Sequence, residues 1–271
     1  MQLGSKAILI VLVATAMSAA SASAVAKPTA PAKESGPKPW CAPEVSELSD
    51  HTCWFDGGTP ADGRRTLVVY LHGAYAATPG FQHLQQKALA LHAKRHSFTL
   101  LLPTAPRTEG GYLWPGSAEK QKTEEAAILA NIAQSKAELE RRQGKPFDET
   151  FIVGFSSGAY YASSLAIRSA IDVDGFIVLA GGSSWVRPPV NGSAKRAPVF
   201  VGVSAKDKQT REHSRALGAT LAALGWPRRV EERGAGHEVD WTFMAHGIAW
   251  LRAQNQGKAG HLAAQAAALH E

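Results

Sequence analysis

Five stretches of the chain are apolar throughout: Thr66–Leu71, Phe98–Leu102, Thr150–Val153, Gly175–Ala180 and Pro198–Val203. A strand without polar alternation has both faces covered, so these runs predict the strands of a buried parallel sheet. Between them the apolar period lengthens to that of a helix. Phe81, Leu84, Ala88 and Leu91 recur at helical spacing behind Thr78-Pro79, an N-cap and a proline suited to the first helical position. Ile128, Ile132 and Leu139 mark one face of a long helix from about Glu119 to Arg142, on which Glu138 reaches Arg142. Helices are also predicted over Ser157–Arg168, Gln209–Leu224 and Val239–Ala253, with a short strand at Arg229–Glu232. The Ala-rich end after Gly257 either frays or continues the last helix. Strands that alternate with helices specify an α/β domain with helices on both faces of the sheet.

The first 39 residues lie outside this pattern. Lys6 is followed by an apolar run from Ala7 to Met17 and then by small residues ending Ala22-Ser23-Ala24. That arrangement is a cleavable signal peptide over residues 1–24, and it predicts a secreted or periplasmic protein. An uncleaved anchor is the rival, but the second half of the run is too weakly apolar for a span of about 20 residues. Residues 25–39, rich in Ala, Pro, Lys and Ser, read as a flexible linker. The domain then occupies residues 40–256, and 257–271 form the Ala-rich tail.

Charge and cysteine content narrow the partners. The chain of 271 residues carries a formal charge of +6, but its basic residues come in scattered pairs such as Arg64-Arg65 and Arg228-Arg229. No basic helix face interleaved with aromatics appears, so nucleic acid is not expected as a partner. The balance supports solubility and a mild preference for anionic surfaces. Cys41 and Cys53 are the only cysteines. Behind a signal peptide they most simply form a disulfide, with free thiols or a metal pair as alternatives. No metal or other cofactor is called for. The Asn191-Gly192-Ser193 sequon matters only in a eukaryotic secretory pathway.

The chemistry centres on Gly154-Phe155-Ser156-Ser157-Gly158, set between an apolar strand and a helix. A serine there sits on a sharp turn, and the flanking glycines let strand and helix pass without a Cβ clash. The backbone N–H of Ser157 then opens a helix, where a developing oxyanion is stabilised. In this strand–turn–helix context the segment resembles the nucleophile elbow of the α/β-hydrolase superfamily.

That resemblance covers roughly Thr66 to Arg252 and implies a single α/β-hydrolase domain with a mostly parallel sheet. It implies a serine, acid, histidine order along the chain. Asp207 follows the strand ending at Val203, and His237, in Gly234-Ala235-Gly236-His237, follows the last strand. Glu212 is the fallback acid. Leu71-His72-Gly73-Ala74-Tyr75 is similar to the His-Gly segment that completes the family's oxyanion hole, with Ala74 N–H as donor and Tyr75 as the alternative. His72 is expected to brace this loop. His83, His92, His96, His213 and His246 fall in or near helices and are expected at the surface or in packing.

The short His-Gly loop, the lack of a lid-sized insertion and the signal peptide resemble the polyhydroxybutyrate depolymerase, feruloyl esterase and carboxylesterase branch. The implied activity is cleavage of small-molecule or polymeric carboxylic esters through an acyl-enzyme on Ser156. A peptidase, an acyltransferase and an inactive binding module are the alternatives. Tyr75, Tyr112, Trp114 and Trp185 are the candidate lining of an aromatic substrate cleft. No stable membrane insertion of the mature chain is expected, and its oligomeric state is left open.

Overall fold

The computed structural model describes residues 39–49, 51–78, 80–182 and 196–268, with side chains as far as Gly257. The segment expected to be a signal peptide, Trp185 and the Asn191 sequon lie outside the described residues. Among the described residues ten strands run in chain order: β1 (Ser46–Ser49), β2 (Thr52–Asp56), β3 (Thr66–Leu71), β4 (Thr99–Leu102), β5 (Arg107–Thr108), β6 (Gly111–Tyr112), β7 (Glu149–Phe155), β8 (Gly175–Leu179), β9 (Val199–Ser204) and β10 (Arg228–Arg233). The helices are α1 (His83–His96), α2 (Ala118–Gln143), α3 (Ser157–Arg168), α4 (Arg211–Ala223) and α5 (Trp241–Ala268). Eight strands make one sheet in the order β1-β2-β4-β3-β7-β8-β9-β10, while β5 and β6 form a small separate ribbon. From β4 to β10 neighbouring strands are parallel, as the apolar runs require.

Alternate residues of each strand face opposite layers. Leu67, Val69 and Leu71 of β3 join a core with Ile128 and Ile132 of α2, Leu165 of α3 and Leu217 of α4. Val68 and Tyr70 join the opposite core with Leu89 and Ala93 of α1 and Phe243, Ile248 and Leu251 of α5. α5 is pinned to the sheet by a buried carboxylate. Glu149 at the start of β7 accepts from Thr66 Oγ1 at 2.7 Å and pairs with Arg252 of α5 and with Arg64, each at 3.2 Å. Removing either arginine would leave charge buried without its full complement of partners. Among the described residues no helix is long and apolar enough to cross a membrane.

Two features differ from the sequence reading. The segment around the cysteines is a hairpin, with β1 antiparallel to β2 and β2 antiparallel to β4. An exposed, polar four-residue edge strand carries no apolar signal. The second difference is α1, which begins at His83 with Gln82 as its N-cap and not at Thr78-Pro79, and which turns another face to the sheet. Phe81, Leu84 and Leu91 point to solvent, 55%, 80% and 63% exposed, while Gln86, Leu89, Ala90, His92 and Ala93 are buried. Hydrogen bonding sets that rotation. Gln86 Oε1 accepts from Ala42 N at 2.7 Å, and Gln82 Nε2 donates to Trp40 O at 2.6 Å. The two glutamines thereby satisfy the backbone of the segment leading into the hairpin, and Ala90 and Ala93 allow close packing on the sheet.

Cys41 and Cys53 are joined as a disulfide that ties this segment to β2. Opening its loop is expected to lower unfolding free energy by about 2–4 kcal/mol. Urea midpoints with and without reductant test this, and equal midpoints would show that the bridge does not stabilise the fold.

Candidate active site

β7 delivers Phe155 to the carboxyl edge of the sheet, and the chain reverses at Ser156 into α3. Ser156 has φ 50° and ψ −115°, a left-side backbone conformation that few non-glycine residues adopt. Close packing holds it there. A Cβ on Gly158 would lie 2.0 Å from Leu71 O, and one on Gly154 would lie 2.3 Å from Gly158 O. Both glycines of the motif are therefore required by the approach of α3 to β3 and β7. Gly158 N donates to His72 O at 3.1 Å, and Ser156 N donates to Leu179 O at 3.1 Å.

Asp207 and His237 reach the serine from neighbouring strand ends. The loops after β9 and β10 extend the ladder between those strands, with Ala205 N donating to Arg233 O at 2.8 Å and Lys206 N to Ala235 O at 2.9 Å. This register sets His237 beside Asp207. Its Nδ1 lies 2.7 Å from Asp207 Oδ2 and its Nε2 lies 3.0 Å from Ser156 Oγ. The imidazole also rests against Phe155, with ring centroids 5.3 Å apart. With Nδ1–H donating to the carboxylate, Nε2 is placed to accept a hydrogen bond from the serine hydroxyl.

Burial would raise the pKa of Asp207, which is 3% exposed, but its donors outweigh that effect and hold it below the usual carboxylate range. Those donors are Thr210 Oγ1 and His237 on Oδ2, and the backbone N–H groups of Gln209 and Thr210 on Oδ1. Thr210 is a member of the cluster that sequence reasoning missed. An Asp followed three residues later by a Thr at a helix start was the available signal. The fallback acid Glu212 is exposed and bonds Arg211 and Arg215 instead.

The loop after β3 lies on the other side of the serine. Tyr75 N–H donates to Tyr112 O at 3.2 Å, which leaves Ala74 as the donor this loop can offer. Neither Ala74 N–H nor Ser157 N–H has a backbone acceptor among the described residues. His72 braces the loop. Its Nδ1 donates to Gly73 O at 2.5 Å, and its Nε2 accepts from Ala105 N at 3.1 Å. Both contacts are satisfied together only by a neutral ring. Burial pushes its pKa down to about 4, against the opposing effect of the Gly73 carbonyl.

The aromatic candidates serve mainly as packing. Trp114 is 3% exposed and stacks on Tyr161, while its indole N–H donates to His72 O at 2.8 Å and its backbone N–H to Ser157 Oγ at 3.2 Å. Tyr75 is 8% exposed and stacks on His72 at 4.0 Å, with its hydroxyl on Gln85. These two rings stiffen the walls of the site from within and do not form an open aromatic cleft. Tyr112 is half-buried under Trp40, with ring centroids 4.6 Å apart. A cleft of about 470 Å³ between α2 and the loop from Ala170 to Val173 is lined by none of the site residues. Among the described residues no cluster of three or more His, Cys, Asp or Glu side chains is placed to hold a metal.

A strained serine on a strand–helix turn, a bridging histidine and a buried carboxylate at the carboxyl edge of a parallel sheet define the α/β-hydrolase fold. Solved structures share it. A carboxylesterase from Mesorhizobium loti superposes with a TM-score of 0.55 and 19% identity, over 77% of this chain and 99% of that one. Esterase PE8 gives 0.51 and 21%, over 72% and 95%. SOBER1 of Arabidopsis thaliana gives 0.53 and 17%, over 70% and 98%. At these identities the likeness is one of fold. No protein-family model and no curated protein matches the chain by sequence.

A neutral His72 makes stability pH-dependent. The unfolded chain takes up a proton on this ring below about 6.5, whereas the folded ring resists it until about 4. The folded state is therefore favoured fully above pH 6.5 and loses up to about 3 kcal/mol as pH falls to 4. His92, also pushed down to about 4 by burial, acts in the same direction. Urea midpoints measured between pH 7 and pH 4.5 should fall, and fall less in His72→Asn. An equal fall in the variant would remove His72 as a cause.

Proposed function

We propose that the chain is an exported serine hydrolase that cleaves carboxylic esters. The observation that carries this reading is the unbroken line from Ser156 Oγ through His237 to Asp207, with contacts of 3.0 and 2.7 Å. Ser156 Oγ attacks the ester carbonyl as His237 Nε2 takes its proton. Asp207 fixes the tautomer and stabilises the imidazolium. The N–H groups of Ala74 and Ser157 receive the oxyanion, helped by the start of α3. His237 then gives its proton to the leaving alcohol. Water activated by the same ring releases the acid and restores the serine. The carboxylesterase and esterase among the structures of this fold support ester over other acyl substrates. Export is supported by the leader over residues 1–24 and by the Cys41–Cys53 bridge, a bond that reducing cytosol disfavours.

A panel of p-nitrophenyl and feruloyl esters of graded size, offered to purified protein, tests the activity. Ser156→Ala should abolish hydrolysis and leave the melting temperature nearly unchanged. Activity equal to wild type would place the nucleophile elsewhere.

Asp207→Asn should lower kcat by a factor of order 10²–10⁴, roughly 3–5 kcal/mol of barrier, with little change in KM. Glu212→Gln should leave kcat unchanged. The reverse pattern would mean the acid is misassigned.

Thr210→Val tests the support of that acid. The hydroxyl helps to keep the Asp207 carboxylate charged, so its charge persists as pH falls until the depressed folded pKa is reached. Loss of this donor raises that pKa and makes the carboxylate a stronger partner for the imidazolium. The acid limb of kcat/KM should move to higher pH with activity above it largely retained. An unmoved limb would reduce Thr210 to a packing role.

A further inference from the structure

The rotation of α1 leaves an apolar stripe in the solvent that the core does not use. Three of the five exposed large hydrophobic residues among the described residues fall on it: Phe81, Leu84 and Leu91. Leu84 and Leu91 are seven residues apart and share one face of the helix, and Phe81 extends that line just ahead of it. The helix cannot turn to bury them, because Gln82 and Gln86 hold its other side and Lys87 pairs with Glu44 at 2.8 Å.

The helix itself carries charge of one sign, and the one carboxylate that meets it, Glu44, is taken up by Lys87. The sequence from His83 to His96 contains no acidic residue, and Lys94 and Arg95 close its end. Both are exposed, and among the described residues neither makes an ion pair. Exposed Leu and Phe edged by Lys and Arg is the composition of helices that lie on anionic membrane surfaces. A second copy fits it less well, since two acid-free cationic helices would meet and protein interfaces are depleted in lysine.

We propose that the exposed face of α1, led by Phe81, Leu84 and Leu91 and flanked by Lys94 and Arg95, docks the protein on an anionic lipid surface. Position adds to composition. Phe81 packs edge-on against Tyr75 at 5.9 Å, and Tyr75 follows Ala74 in the loop beside Ser156. The Phe81 end of the stripe therefore adjoins the loop that carries Ala74, the proposed oxyanion donor. The docking itself does not depend on the ester reading, but the advantage of presenting lipid-dissolved esters to Ser156 does.

Purified exported protein is sedimented with vesicles of phosphatidylcholine alone and with vesicles of equal parts phosphatidylcholine and phosphatidylglycerol. Binding is expected to the anionic vesicles only, and to weaken with salt. Leu84→Ser with Leu91→Ser should reduce binding more than tenfold, and Lys94→Gln with Arg95→Gln by about fivefold per charge. Hydrolysis of soluble p-nitrophenyl acetate and the melting temperature should be unchanged in all of them. No sedimentation, or sedimentation untouched by these substitutions, overturns the proposal. So does a concentration-dependent dimer that the serine variant abolishes, which would make a second copy the occupant. Binding seen only after removal of the residues before Pro39 overturns it too, because the chain itself would then cover the stripe. Loss of docking with soluble hydrolysis intact leaves the hydrolase reading standing, and docking without hydrolysis does the opposite.

Discussion

The site depends on a contact in which no side chain takes part. The backbone of Gly158 lies against the carbonyls of Leu71 and His72, and any Cβ there would overlap Leu71 O. Because α3 can come that close, its first turn donates from Gly158 N to His72 O, and the same oxygen accepts from Trp114 Nε1. One carbonyl thus joins the serine turn, the loop after β3 and the segment after β6. The positive φ of Ser156 is held by this packing, since a strained turn persists only where its surroundings over-determine it. The proposed oxyanion donors, Ala74 and Ser157, belong to the two pieces that this contact locks together.

The other half of the site is positioned by the sheet. β9 and β10 continue to exchange backbone hydrogen bonds past their ends, so the Asp207 and His237 loops inherit the strand register. At the opposite edge, Glu149 with Thr66 and Arg252 fixes α5, the helix that begins just after the histidine loop. A parallel sheet with both faces covered is stiff, and its carboxyl edge therefore supplies side chains with little freedom to wander.

Much of this was legible because the five central strands, β3, β4, β7, β8 and β9, are buried over their whole length. The runs at Thr66, Thr150, Gly175 and Pro198 could be nothing but buried strands, and Asp207 and His237 stood out by following two strand ends. Edges and faces were harder to read. β1 is short and exposed, so it left no apolar trace. The face of α1 was misread because two glutamines meet backbone groups of Trp40 and Ala42, a long-range demand that local periodicity does not encode. Trp114 and Tyr75 were placed correctly on loops, but whether a loop aromatic lines a cleft or packs beneath it depends on neighbours such as Tyr161 and His72. Thr210 left only a local trace, the Asp-x-x-Thr spacing at a helix start, since its hydroxyl matters only once Asp207 turns toward it.

Burial acts on two groups that support the site with opposite results, and donor supply decides the sign. Asp207 is nearly sealed from water yet stays below its ordinary range, because two side chains and two backbone N–H groups donate to it. His72 is just as buried, but it meets one acceptor and one donor, a pairing that only the neutral ring satisfies. The serine therefore faces a fixed negative charge through His237, while an uncharged imidazole braces the loop after β3. Under the proposed chemistry, the positive charge formed on His237 arises beside the carboxylate. The oxyanion forms at the N–H groups of Ala74 and Ser157, the first of them on the loop that the neutral His72 braces. The carboxylate that meets the imidazolium and the N–H groups that meet the oxyanion are thus in place before a substrate arrives, which is the preorganisation that lowers a barrier without reorganisation during the reaction.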